Sequence, residues 1–144
     1  MRNNIVCIFT ISFGLLTLMQ VTNGKIFSRC ELKKALEKNK VNRSFIAHWV
    51  CLAESESGRN SSKLTKKILY DMYGIFQIHS NEWCGRGGVI GGSCWTRCDN
   101  FLDDKLDDDI ACAMKVFDKY GFKNWKGWEE KCKKQDLPNL SDCT

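Results

Sequence analysis

Hydrophobic and polar positions divide the chain into stretches of different period. Ile5 to Leu18 is a mostly apolar run behind one early charge, Arg2, and it gives way to the small or polar Thr22-Asn23-Gly24. That arrangement predicts a secretory signal peptide over residues 1–24, too short and wrongly flanked for a membrane anchor. Ser28-Arg29-Cys30-Glu31 then has the form of a capping box, with Leu32, Ala35 and Leu36 at helical spacing behind it. A first helix is expected over residues 29–38. A second is expected over residues 44–57, where Trp49, Ala53 and Glu56 share one face, Leu52 sits beside them and Gly58 supplies a stop. Residues 59–67 are polar and read as loop. Residues 68–78 are rich in β-branched and aromatic types and predict a small antiparallel sheet. Five glycines make residues 85–93 an irregular loop. Leu106, Ile110, Ala113, Met114 and Phe117 form an apolar stripe on a third helix, and Trp125 and Trp128 mark a short fourth segment. Helices flanking a small β region predict an α+β fold of two lobes with a cleft between them.

Composition narrows this picture. Loss of the leader would leave residues 25–144 as one domain. No second apolar run is long enough to span a bilayer, so a soluble mature protein is expected. Of nine cysteines, Cys7 falls in the leader. The remaining Cys30, Cys51, Cys84, Cys94, Cys98, Cys112, Cys132 and Cys143 predict four disulfides, with the pairing left open by spacing alone. Zinc is disfavoured, because no CxxC pair occurs and His48 and His79 stand apart. The formal charge is +5, and removing Arg2 leaves 21 basic against 17 acidic residues. That mild excess suits anionic partners or plain solubility. No basic-aromatic array or nucleic-acid reading motif is present, so no nucleic-acid partner is expected.

Two groups of residues carry candidate chemistry. Glu56 shares a helical face with Trp49 and Ala53, and a carboxyl in apolar surroundings has a raised pKa, which a general acid requires. The run NFLDDKLDDDIAC holds five aspartates in seven residues, more than a helix N-terminus needs. Asp103, Asp108 and Asp109 can converge on a calcium ion if the chain loops before entering a helix at Leu106. Asn42-Arg-Ser, Asn60-Ser-Ser and Asn139-Leu-Ser are glycosylation sequons.

The stretches KIFSRCEL, WVCLAESESG, YGIFQI, EWC, the CxxxC of Cys94 and Cys98, and NWKGWEEKC together resemble the c-type lysozyme and α-lactalbumin family. The resemblance runs from Lys25 to Cys143. It implies a lysozyme-like fold, a helical lobe and a small antiparallel β lobe around a saccharide cleft. It implies the bridges Cys30–Cys143, Cys51–Cys132, Cys84–Cys98 and Cys94–Cys112. It places the general acid at Glu56, five residues after Cys51, with Trp125 packed against it. In that family a glutamate beside a tryptophan is the standing example of a carboxyl raised by an apolar pocket, so this part is inherited from the resemblance. Gln77, His79, Trp83 and Asp118 are implied along the cleft. His79 stands where asparagine is usual, and Glu82 replaces an aromatic residue. For calcium, the resemblance implies carboxylates from Asp103, Asp108 and Asp109 and backbone carbonyls from Asn100 and Lys105.

The chain departs from the family at Met72. Lysozymes carry an aspartate just before YGI, where it supports the oxocarbenium-like transition state. Asp71 lies one residue earlier, and a one-residue slip on a strand reverses the face. Asp71 becomes the catalytic partner only if a bulge turns it into the cleft. The resemblance therefore implies a secreted, extracellular, monomeric hydrolase of β-1,4 linkages in peptidoglycan or related N-acetylhexosamine polymers, serving antibacterial defence or digestion. The alternative is a catalytically impaired lysozyme-like protein that binds saccharide or a partner protein, as α-lactalbumin does. A cationic membrane-active protein is a third reading, supported only by the small positive charge.

Overall fold

The computed structural model describes residues 24–143, so the expected leader, apart from Gly24, lies outside the described residues. The order is α1 (Arg29–Lys38), α2 (Ile46–Ser57), β1 (Leu64–Lys66), β2 (Asp71–Tyr73), β3 (Ile78–His79), α3 (Leu106–Tyr120) and α4 (Lys126–Lys131). Short 3-10 turns occupy Arg43–Phe45, Cys98–Leu102 and Phe122–Asn124. The expected α+β architecture is present: helices pack around one core, and three antiparallel strands in the order β1-β2-β3 form the small lobe. All four disulfides pair as the resemblance implied. None of the described helices is long and apolar enough to cross a membrane.

Local sequence chemistry explains the helix ends. Ser28 caps α1 as expected: its hydroxyl accepts from the Glu31 N–H at 3.1 Å, and Glu31 accepts from the Ser28 N–H at 2.8 Å. The second helix begins later than expected. Asn42 accepts from the Ser44 N–H at 3.0 Å and starts a 3-10 turn, so regular α2 opens only at Ile46. Gly58 ends it in the left-handed conformation, φ 63°.

The loop expected over residues 59–67 is corrected, and the antiparallel sheet expected over residues 68–78 is present there as β2 and the start of β3. Residues 59–67 contain β1, a three-residue edge strand, Leu64-Thr65-Lys66, whose period a lysine-rich stretch masked. Residues 68–78 are less regular than their composition implied. Ile68 and Leu69 lie in the β1–β2 turn, and residues 74–77 form a second turn in which Gly74 and Gln77 take positive φ. Propensity reads half-buried pleated surface; β2 offers it, with Asp71 and Met72 half-buried and Tyr73 buried, and the two turns do not.

The core is continuous between the lobes. Trp49 is buried and meets Phe76, Phe122 and Trp125 edge-on, with centroids 5.6, 4.9 and 5.6 Å apart. Each such pair adds about 1 kcal/mol beyond its area burial. Phe76 belongs to the β2–β3 turn and Trp125 to the entry of α4, so one indole joins α2 to both.

Candidate active site

Glu56 lies in the last turn of α2, against α4. The Gly127 N–H donates to its Oε1 at 2.8 Å. A Cβ at residue 127 would stand 2.6 Å from that oxygen, so glycine is what admits the approach. Burial pushes the Glu56 carboxyl up. The Gly127 N–H, Lys63 and Lys131 favour the charged form and offset part of that rise. Lys63 also donates to the Glu56 carbonyl at 2.5 Å, bringing the start of the β lobe onto this helix turn. Trp125 precedes α4, is fully buried, and donates its indole N–H to the Phe76 carbonyl at 2.8 Å.

The strand opposite is regular. Leu64, Thr65 and Lys66 pair in turn with Tyr73, Met72 and Asp71, and Met72 pairs with His79 on the other side. Successive side chains on a strand point to opposite faces. Met72 therefore shares a face with Thr65 and His79, and Asp71 shares the other with Tyr73. No bulge interrupts this ladder, so Asp71 and Met72 present opposite faces of β2. Asp71 is instead tied locally. Its N–H donates to the Ser80 hydroxyl at 2.9 Å, the Tyr73 hydroxyl approaches its carboxylate at 3.5 Å, and Arg86 stands 3.8 Å away.

The cleft residues implied by resemblance divide into braces and surfaces. Gln77 is buried, with φ 49°, and its carboxamide is fully used. It donates to the Lys63 and Gly74 carbonyls, both at 2.9 Å, and accepts from the Thr65 hydroxyl at 2.6 Å. Gln77 thus braces the turn rather than offering free polar atoms. His79 stacks on Tyr70 with centroids 4.7 Å apart, and desolvation lowers its pKa. Asp118 is exposed on α3. Its two successors make the contact across the lobes that the sequence reading missed. Lys119 Nζ lies 2.7 Å from Glu82, the Tyr120 hydroxyl donates to the same carboxylate at 3.0 Å, and Tyr120 meets Trp83 edge-on. Lys119 also sits 5.8 Å from the Trp83 ring centroid, and Trp83 is only 3% exposed. A carboxylate at position 82, where an aromatic residue was expected, was the available signal: it wanted a cation nearby. A cavity of about 400 Å³ lies elsewhere, between α2, α4 and the C-terminal segment, and none of these cleft residues lines it.

The acidic run is also divided. Asp104 accepts from the Ser61 hydroxyl at 2.6 Å and the Lys25 N–H at 3.0 Å. Asp107 faces α1, bonded to Lys38 and Asn39. Asp103 accepts from the Lys105 N–H at 2.7 Å, inside its own loop. Asp108 is half-buried, and Asp109 is fully buried with neither carboxylate oxygen partnered. Desolvation raises both carboxyls. No three His, Cys, Asp or Glu side chains gather into a metal-holding group among the described residues.

A partly buried acid at the junction of a helical and a β lobe, on a frame of four disulfides, defines the class. The C-type lysozyme/alpha-lactalbumin family matches residues 25–143, and the chain belongs to that family. It is 37% identical over 135 residues to lysozyme c-1 of Anopheles gambiae, covering 93% of this chain and 96% of that one. It is 40% identical over 128 residues to lysozyme C of Equus asinus, covering 83% and 98%. The crystal structure of lysozyme from Equus asinus superposes with a TM-score of 0.75 at 36% identity, covering 83% of this chain and 99% of that one. Canine milk lysozyme gives 0.75 at 38% identity, with the same coverage.

The Lys119–Glu82 pair is exposed, and such pairs contribute only about 0–1 kcal/mol. Lys119→Ala should therefore uncover Trp83 without loss of fold. Acrylamide quenching of indole fluorescence is expected to rise in that variant, and the rise should vanish when Trp83→Phe is added.

Proposed function

We propose that the protein is a secreted, monomeric lysozyme-type glycoside hydrolase acting on β-1,4-linked N-acetylhexosamine polymers such as peptidoglycan, in antibacterial defence or digestion. Its lysozyme relatives and its four disulfides, which belong to an oxidising compartment, support this reading. The observation that carries it is the Glu56 carboxyl, raised by burial and held by the Gly127 N–H. A raised pKa keeps more of the carboxyl protonated as pH rises, and the protonated form can give its proton to the leaving glycosidic oxygen. Trp125 sets the entry of α4 and so the place of Gly127.

The second half of the reaction lacks its usual carboxylate. Met72 can neither form a glycosyl-enzyme ester nor offset positive charge on the sugar. Glu56 then protonates the leaving oxygen while water attacks. Loss of one electrostatic stabiliser costs on the order of 10²–10³ in rate, so turnover is slow rather than absent. The alternative, a catalytically impaired saccharide- or protein-binding protein, is favoured by Met72 and by the Lys119–Glu82 contact over Trp83. Lysis of purified peptidoglycan separates the two. Glu56→Gln should abolish turnover, Met72→Asp should raise it at least about tenfold, and Asp71→Asn should change it less than about threefold. No lysis by the parent protein and none by Met72→Asp, with circular dichroism unchanged, would favour the binding reading.

We also propose a structural calcium ion, held by Asp103, Asp108 and Asp109 with the Asn100 and Lys105 carbonyls. The unpartnered, fully buried Asp109 carboxylate supports it, since hard oxygen donors suit calcium and a buried charge needs a partner. The ion would neutralise the acidic run and tie the loop to the start of α3. A ligand that binds only the folded form stabilises it by about 4 kcal/mol at roughly a thousandfold excess over Kd. That should raise the melting temperature by roughly ten degrees. Asp108→Ala should abolish the difference between melts in EDTA and in millimolar calcium. Asp107→Ala should keep most of it, because Asp107 faces α1. Superimposable curves for the parent protein would overturn the assignment.

A further inference from the structure

The hairpin between β1 and β2 turns on two residues, Ile68 and Leu69. The Lys67 N–H donates to the Tyr70 carbonyl at 3.0 Å, and the ladder begins with Lys66 opposite Asp71, so these two side chains form the whole tip. Loops of this length favour Gly, Asn or Asp, which accept the turn backbone and hydrogen-bond within it. Here they hold two aliphatic residues, 100% and 80% exposed. Neither residue takes a positive φ, so the turn accepts them without strain, but aliphatic side chains this exposed add no packing to the fold.

The surroundings select the occupant. Lys66 and Lys67 are exposed at the base of the tip. The nearest acid on the facing strand, Asp71, is only 18% exposed at its side chain and stands beside Arg86. The tip therefore presents an apolar point on a basic collar. A protein partner needs roughly 800 Å² from each side, far more than a convex point of two side chains offers. A bilayer interface accepts such a point directly, and lysine stems reach up to the headgroup phosphates. We propose that the β1–β2 hairpin tip is a wedge for anionic lipid surfaces, with Ile68 and Leu69 entering the acyl boundary and Lys66 and Lys67 engaging lipid phosphates. The wedge is independent of the hydrolase reading. Two aliphatic side chains with two lysines give reversible attachment, weaker than a two-signal lipid anchor.

The test is flotation of the mature protein with vesicles of phosphatidylcholine containing about a third phosphatidylglycerol, which hold no saccharide substrate. The parent protein should float with these and at least about tenfold less with phosphatidylcholine alone. I68S/L69S should lower the partition coefficient at least about tenfold, and K66S/K67S should lower it and flatten its salt dependence. Ile68 and Leu69 lie on the exposed turn, and Lys66 and Lys67 are exposed where edge strand β1 runs into it, so circular dichroism and lysis of isolated peptidoglycan should match the parent. Equal partition of I68S/L69S and the parent would overturn the wedge in favour of diffuse charge attraction. A vesicle-free dimer of the parent, lost in I68S/L69S by sedimentation velocity, would overturn it in favour of a second copy as the occupant.

Discussion

Ser57 is buried at the end of α2, and its hydroxyl lies between two carbonyls, Ala53 at 3.0 Å and Ile75 at 2.7 Å. One belongs to the helix and the other to the turn between β2 and β3. Next to it, Gly58 reverses the chain in a conformation that costs a side-chain-bearing residue energy. Lys63 closes the same joint from the β side by bonding the Glu56 carbonyl. The lobes are thus fastened within a few residues of the candidate acid. The burial that raises Glu56 comes from this joint and from α4 packed beside it. A change that loosened the joint would let water in and return the carboxyl to its ordinary range.

The other wall is built with equal regularity but different chemistry. The strand ladder is unbroken, so Met72 holds the face shared with Thr65 and His79, and Asp71 is spent on the opposite face with Ser80, Tyr73 and Arg86. Where the family resemblance places a second carboxylate, this strand carries the thioether of Met72. Across the lobes, Glu82 holds Lys119 and Tyr120 above Trp83. On the proposed function, the site is one-sided, an acid without its partner, and the Trp83 ring beside it is covered by a contact weak enough to open.

Much of this was legible in the residues. The Ser28–Glu31 capping box, the Gly58 stop and the stripe from Leu106 to Phe117 each act within one element, and each element formed where its local signal lay. The disulfide pairing and the place of Glu56 came from resemblance, since spacing leaves the pairing open and a helix-end glutamate is usually solvated. The misreadings share a cause. Lys66 and Lys67 hid β1 in a polar stretch, and Ile68 and Leu69 read as strand where the chain turns. Gln77 was placed along the cleft by resemblance, and its amide contacts, to Thr65, Lys63 and Gly74, leave no period in the sequence. Lys119 and Tyr120 were invisible because their partner lies far along the chain. Pairing across distance leaves no period in a sequence.

The most direct test of a one-sided site is the pH dependence of kcat/KM on a soluble chitooligosaccharide. Glu56 must be protonated to act, and its folded pKa is raised, so activity should persist above the ordinary glutamate range and be lost as pH rises through that pKa. With no second carboxylate to ionise, activity should not fall on the acid side while the protein stays folded. A single descending limb, abolished by Glu56→Gln, is the expected profile. A bell-shaped profile whose acid limb disappears in Asp71→Asn would contradict the account, because it would make Asp71 the missing partner.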